Sequence, residues 1–358
     1  MRSVSKGYAA MRVLIAAVVL VCVIGCLSVA GTEETQELRM DSQPQGQNGR
    51  YDVMKLREIA GKGAWEKHAG NPVLKPGVKG EWDSWTLATM NVLKVGDTCH
   101  MYYEAGRKGV IDFQIGHAVS ADGIHWVKDP ANPVIPFGQR GEWDDAETWD
   151  AFVLYEDGIF KMWYGGTTVR EGKRDFQIGY ATSRDGTHFT RKGKISRYAR
   201  GNVGDMHVVH DEQSGKYSMY YLDRNYKPST LFRAESPNET DFDFDNAVPI
   251  EVKGEVKGYR CPHVFIDAGT WYMYYGFKYE KRAGFATSSD GLHWKAQNTT
   301  VIEGHDPEIL TMADDLYLLF YCPTKYNMGH KPGCDIRVAV FEGNLNDLDL
   351  TELRAPAD

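Results

Sequence analysis

Short apolar runs bounded by Gly, Pro, Asn and Asp recur along almost the whole chain, and no long stretch of helical periodicity interrupts them. Runs of this kind predict strands joined by tight turns. The runs also copy one another. Trp65 to Asp83 reads WEKHAGNPVLKPGVKGEWD, and Trp126 to Asp144 reads WVKDPANPVIPFGQRGEWD. Trp65 and Trp126, Asn71 and Asn132, and Trp82 and Trp143 are each 61 residues apart. Met101-Tyr102-Tyr103 matches Met162-Trp163-Tyr164, and Phe113-Gln114-Ile115-Gly116 matches Phe176-Gln177-Ile178-Gly179 at an offset of 63. Met219-Tyr220-Tyr221, Met273-Tyr274-Tyr275 and Leu319-Phe320-Tyr321 are weaker copies. Asp122-Gly123, Asp185-Gly186 and Asp290-Gly291 follow strand patterns and precede Trp126, Phe189 and Trp294, as hairpin turns do.

A period near 60 residues with about four short strands in each copy is the content of a propeller blade. The expectation is an all-β, five-bladed β-propeller spanning 61–345, with blades at roughly 82–142, 143–200, 201–255, 256–302 and 303–343. The segment 65–74 precedes blade one but resembles the last strand of a blade. It is expected to complete blade five and close the ring, leaving only short, protected edges.

The N-terminus adds an address. Arg2, Lys6 and Arg12 precede an apolar run from Val13 to Val23, which is short for a membrane span and suits an export signal over 1–30. The run ends Val23-Ile24-Gly25-Cys26, a bacterial lipobox pattern in which Cys26 would carry the lipid; the alternative is a plain secretory signal cleaved near Ala30. The expected location is the membrane surface, the periplasm or the exterior, with membrane contact only through this segment. Residues 31–60 read as a linker and 346–358 as a tail.

Composition narrows the partners. Net charge is −8, so no basic excess exists to neutralise phosphates and nucleic acid is excluded as the main partner. Aromatics reach 12%, which favours strands or a carbohydrate-type surface. Beyond the signal, Cys99, Cys261, Cys322 and Cys334 remain, and the last two are close enough in sequence to close one loop as a disulfide. No CxxC or Cys/His spacing appears, so no metal site and no cofactor are expected. A calcium or sodium ion in the channel suits carboxylates and carbonyls, but no dedicated loop motif supports one.

The innermost strands should line a common axis. Aligned on the MYY-like triplets, they read Thr89-Met90-Asn91-Val92, Asp150-Ala151-Phe152-Val153, Asp205-Met206-His207-Val208, Cys261-Pro262-His263-Val264 and Asp306-Pro307-Glu308-Ile309. One register thus carries Asp150, Asp205 and Asp306. Converging carboxyls raise at least one pKa, which is what glycoside hydrolysis needs: one protonated acid and one ionised base or nucleophile. The alternative is that these Asp side chains cap strand starts. Asn91, His207, His263, Glu147, Glu308 and Arg260 are placed to bind sugar hydroxyls or an anionic group, and Trp149, with Trp85 and Tyr259, to stack on a sugar ring. Each of these has an ordinary structural role as its alternative.

The Asn71-Pro72-Val73 to Trp82-Asp83 motif, the Ser-x-Asp-Gly hairpins and His305-Asp306-Pro307-Glu308-Ile309 resemble the five-bladed-propeller glycosidases, the superfamily of invertases, arabinanases, family-43 enzymes, xylosidases and mannoside phosphorylases. Tyr259-Arg260-Cys261-Pro262 resembles the invertase segment in which the acid/base Glu precedes Cys-Pro, with Arg260 in the Glu position. The family places acids in blades one, two and three, whereas Thr89 stands at the blade-one register. The resemblance implies an exported glycoside hydrolase acting on an oligo- or polysaccharide. A non-catalytic carbohydrate-binding surface propeller and a glycoside phosphorylase are the alternatives, and a sialidase-like reading of the Asp-Gly hairpins is weaker.

Overall fold

The computed structural model describes residues 53–107, 112–196, 201–226, 229–254, 259–267, 269–277, 283–297, 304–323 and 333–345. The export signal, Cys26 and the tail read from the sequence lie outside them. Five sheets, antiparallel but for short pairings of Gly61–Lys62 and Glu251–Lys253, follow one another along the chain. Their innermost strands are Thr86–Val95, Glu147–Glu156, Val203–Asp211, Tyr259–Asp267 and His305–Ala313. Each is followed outward by the strand bearing the aromatic triplet: Thr98–Gly106, Ile159–Arg170, Lys216–Asp223, Thr270–Phe277 and Leu316–Cys322. This is the five-bladed β-propeller.

The triplets hold the ring together through strand alternation. Residues of a strand point to opposite faces of the sheet. Met101 and Tyr103 pack with Leu318 and Phe320 of blade five, while Tyr102 packs with Phe160 and Met162 of blade two. Met162 and Tyr164 pack on blade one and Trp163 on blade three. Met219 and Tyr221 pack on blade two and Tyr220 on blade four. Met273 and Tyr275 pack on blade three and Tyr274 on blade five, and Leu319, Tyr321 and Phe320 finish the circle. The described residues therefore form five apolar cores, one in each cleft between blades.

The Asp-Gly turns dock onto these triplets. In each, the Ser120, Ser183 or Ser288 hydroxyl and the following Asp carboxylate accept the turn's N–H groups, so no backbone donor is wasted. Tyr102 then donates its hydroxyl to the Gly186 carbonyl at 2.8 Å, and Tyr220 donates to the Gly291 carbonyl at 2.6 Å, each reaching into the next blade. Gly186 and Gly291 have φ of 77° and 69°, a backbone that a side chain rarely tolerates.

The ring closes as the repeat implied. Glu66–Lys67 pairs antiparallel with Arg337–Glu342, and Gly61–Lys62 runs parallel to the same strand. Trp65 is buried against Phe341. The Asn71 side chain behaves as an extra ladder residue: its Nδ2 donates to the Val338 carbonyl and its Oδ1 accepts the Val338 N–H, both at 2.8 Å. Asn132 does the same to His117 in blade one, which is why the Asn-Pro-Val motif occurs in both copies.

Two features differ from the sequence reading. Part of the segment read as linker folds: Val53–Ile59 is a helix, anchored by buried Leu56 and by Arg57, which ion-pairs with Asp315 and Glu342. Seven residues are too few for helical periodicity to stand out, and the anchor is a long-range ion pair. Cys322 and Cys334 are both buried free thiols rather than a disulfide.

Candidate active site

Every inner strand carries a β-bulge at one register. It falls at Thr89, at Asp150-Ala151, at Asp205-Met206, at Cys261-Pro262 and at Asp306-Pro307. The first residue is in the left-handed region in four blades: Asp150 at φ 53°, Asp205 at 48°, Cys261 at 48° and Asp306 at 53°. Asp tolerates that region better than most side chains because its short polar group bonds locally. A bulge re-aims the side chain it carries. These five residues accordingly line one axial cavity of about 20 Å³, room for about one water molecule.

The Asp residues have unequal surroundings. Asp205 is buried and ion-paired to two guanidinium groups, Arg224 and Arg260, the latter at 3.0 Å. Asp306 bonds His305 Nδ1 at 2.8 Å. Burial works against its charge, yet His305 and then Arg260 outweigh burial and hold the Asp306 carboxyl well below the usual carboxylate range. The same contact lifts His305 to about 10 against the effect of its own burial. Asp150 goes the other way. Burial, followed by the charge of Asp205, pushes its carboxyl well up, although its Oδ2 accepts the Met206 N–H at 3.0 Å.

Asn91, His207 and Glu308 also line this cavity. With His263 they sit two residues further along the inner strands and bond to one another. Asn91 donates to Glu308 at 2.6 Å, His263 Nδ1 lies 2.6 Å from the other Glu308 oxygen, and His207 Nε2 lies 3.1 Å from His263 Nδ1. This belt ties blades one, three, four and five together and faces a wider cavity of about 890 Å³ at the other end of the channel. Two nitrogens and a carboxylate are ligands for a transition-metal ion rather than calcium, and His305, Asp306 and Cys322 form a second such group.

Glu147 is paired to Arg174 and is not among the described residues lining the axial cavity. Trp149 forms a wall between blades rather than an open stacking face. Its Nε1 donates to Thr167 at 2.9 Å, Arg224 stacks 5.4 Å over its ring, and Gly165 and Gly204 lie against it with no room for a Cβ. Trp85 is half-buried, and the Tyr259 side chain lies outside the described residues.

One acid is missing from the set drawn from the inner strands. Glu104, on the second strand of blade one, is 7% exposed, and its electrostatic neighbours are Asp150, Asp306, Asp205 and Arg260. The signal was present in the residue after each triplet: Glu104 stands where the other blades have Gly165, Leu222, Gly276 and Cys322. Burial first, then the three Asp charges, push its carboxyl well above the usual range.

The comparisons agree with the five-bladed propeller at the level of fold. No family model matches the chain. It is similar to an uncharacterized protein of Mycobacterium tuberculosis, 28% identical over 166 residues, 44% of this chain and 54% of that one. It is also similar to a 1,2-beta-oligomannan phosphorylase of Thermoanaerobacter sp. strain X514, 27% identical over 180 residues, 49% of this chain and 55% of that one. The chain thus spans about half the length of the curated relatives it matches. Among solved structures, a thermostable family-43 glycoside hydrolase superposes with TM-score 0.58 at 16% identity, covering 75% of this chain and 91% of the other. A family 117 glycoside hydrolase of Zobellia galactanivorans gives TM-score 0.57 at 13% identity, covering 79% and 91%.

Proposed function

We propose that the chain is an exported glycoside hydrolase cleaving an oligo- or polysaccharide with carboxyls of the central funnel. The observation that carries this reading is the division of the carboxyls at one register. His305 and Arg260 hold the Asp306 carboxyl well below the usual carboxylate range, while burial and neighbouring Asp charges push those of Asp150 and Glu104 well above it. Glycosidic cleavage needs that pair of states, one carboxyl to give a proton and one to act as base or nucleophile. A set of strand caps would need neither. Asp306 is the ionised member in this reading, and Asp205, clamped by two arginines, orients Arg260 between the acids. The glycoside hydrolase neighbours support the class of substrate.

A phosphorylase reading rests on one observation: Arg224 and Arg260 converge on Asp205, and one distant relative is an oligomannan phosphorylase. A glycan panel assayed with and without phosphate separates the readings. Hydrolysis independent of phosphate, lost by about 10²-fold or more in Asp150→Asn or Asp306→Asn, supports the hydrolase. Cleavage that requires phosphate overturns it in favour of phosphorolysis, and binding without cleavage leaves a carbohydrate-binding propeller. For export, palmitate labelling that disappears in Cys26→Ala is expected of a lipid anchor. Secretion without label points to cleavage near Ala30.

A further inference from the structure

We propose that Glu104 is the proton donor for the departing sugar oxygen; this rests on the hydrolase reading above. The case begins with a cross-strand exchange. Just before the bulge, each inner strand pairs one residue with the strand behind it: Ala88 with Glu104, Trp149 with Gly165, Gly204 with Leu222, Arg260 with Gly276, and His305 with Cys322. Blade two fills this position with the Trp149 indole and keeps glycine opposite. Blade one inverts the order, so that Ala88 clears the space and Glu104 takes it. Glu104 shares the strand face of Tyr102, which packs toward blade two, the blade of Asp150.

The fold does not require an acid there. Leu222 and Cys322 occupy the equivalent position in blades three and five. Among the described residues the Glu104 side chain makes no hydrogen bond and no ion pair, although the residue is only 7% exposed. Its carboxyl oxygens are not among the fully enclosed atoms that lack a partner, so they keep an opening through which a ligand can reach them. Asp150 is the poorer donor, because one of its oxygens is taken by the Met206 N–H and its short side chain is fixed at the bulge. Glu104 has the longer arm and both oxygens available. Burial and the neighbouring Asp charges push its carboxyl well up, toward the protonated state that a donor must start from.

The step balances with water as the co-reactant. The Glu104 carboxyl O–H bond breaks and its proton goes to the glycosidic oxygen. The bond from that oxygen to the anomeric carbon breaks, leaving its electron pair on the oxygen. A water oxygen bonds the anomeric carbon in its place and passes a proton to an ionised carboxylate, and solvent exchange then resets both groups.

The test uses the full chain and two aryl glycosides, 2,4-dinitrophenyl and 4-methoxyphenyl, of the sugar that the wild-type protein releases. Glu104→Gln is expected to lose about 10²- to 10⁴-fold in kcat/KM on the 4-methoxyphenyl glycoside and far less on the 2,4-dinitrophenyl one, whose leaving group needs no proton. The fall of wild-type activity at high pH, where the donor deprotonates, should be absent in this variant. Equal losses on both glycosides in a folded variant, or no loss, would overturn the assignment of Glu104 alone. A wild-type protein that cleaves no glycoside overturns the hydrolase reading and this inference with it.

Discussion

Asp306 keeps its charge in a buried, acid-rich funnel because His305 lies 2.8 Å away and Arg260 faces it. Removing His305 should therefore be visible as a pH effect. In His305→Gln the acidic limb of the kcat/KM profile, which reports protonation of the base, should move up by about 1–3 pH units. The pair also sets a stability window. His305 is raised from 6.5 to about 10, so its contribution is complete below pH 6.5 and fades as pH rises toward 10. Asp306 is lowered from 3.8, so its contribution is complete above that value and is lost as pH falls through its folded pKa. The difference in melting temperature between wild type and His305→Gln should be largest between about pH 4 and 6.5 and shrink on both sides. Asp205→Asn is a stability prediction at the same scale. It strands two guanidinium groups, and a loss of about 3 kcal/mol in chemical denaturation is expected. That is the lower end for a broken buried pair, because the Arg224 and Arg260 side chains keep 23% and 35% exposure and regain some solvation.

At the scale of strands and turns, the blades communicate through single hydroxyls. Tyr102→Phe removes the bond to the Gly186 carbonyl and Tyr220→Phe the bond to the Gly291 carbonyl, each at a cost of about 1–2 kcal/mol. The two lie in different inter-blade clefts, so thermal melts of the double variant should show additive losses. These elements were largely legible in the sequence. The triplets, the Asp-Gly turns and the Asn-Pro-Val motif repeat because the same contact is made in blade after blade. The register of Asp150, Asp205 and Asp306 followed from that repetition alone. What does not repeat was not legible. Glu104 lies on a second strand, outside any alignment of inner strands, and its space depends on Ala88 across the sheet. The belt of Asn91, His207, His263 and Glu308 was in register, but its side chains also bond one another across the channel, and no single blade reveals that. The choice between stacking and packing for Trp149 was not legible either, because its two glycine neighbours, Gly165 and Gly204, come from different strands.

For the whole molecule, the ring is closed by hydrogen bonds and packing from the chain's first described strands onto Arg337–Glu342, not by a covalent link. Trp65 is 2% exposed and lies 5.5 Å from Phe341. Trp65→Ala should cost about 3–5 kcal/mol, the loss expected for a large buried aromatic. Deleting 61–75 removes Trp65, the Glu66–Lys67 pairing and the Asn71 ladder together. It exposes Val338 to Val340 as a bare apolar edge, so an aggregating protein without a cooperative melt is expected. That outcome alone does not separate a closure strand from any other core segment. A permuted chain does. Gly61 pairs directly beside Phe341, so the path from Leu345 back to Gly61 is short, and a linker of about six Gly and Ser residues spans it. If the segment acts by position alone, a chain that begins at residue 76 and carries 61–75 after that linker should melt within a few degrees of the unpermuted chain 61–345, which likewise lacks the Val53–Ile59 helix. It should also keep the same pH dependence of the His305 and Asp306 pair, because blade five would again be complete behind them. A permutant that stays unfolded would show that closure depends on the native chain order before blade one.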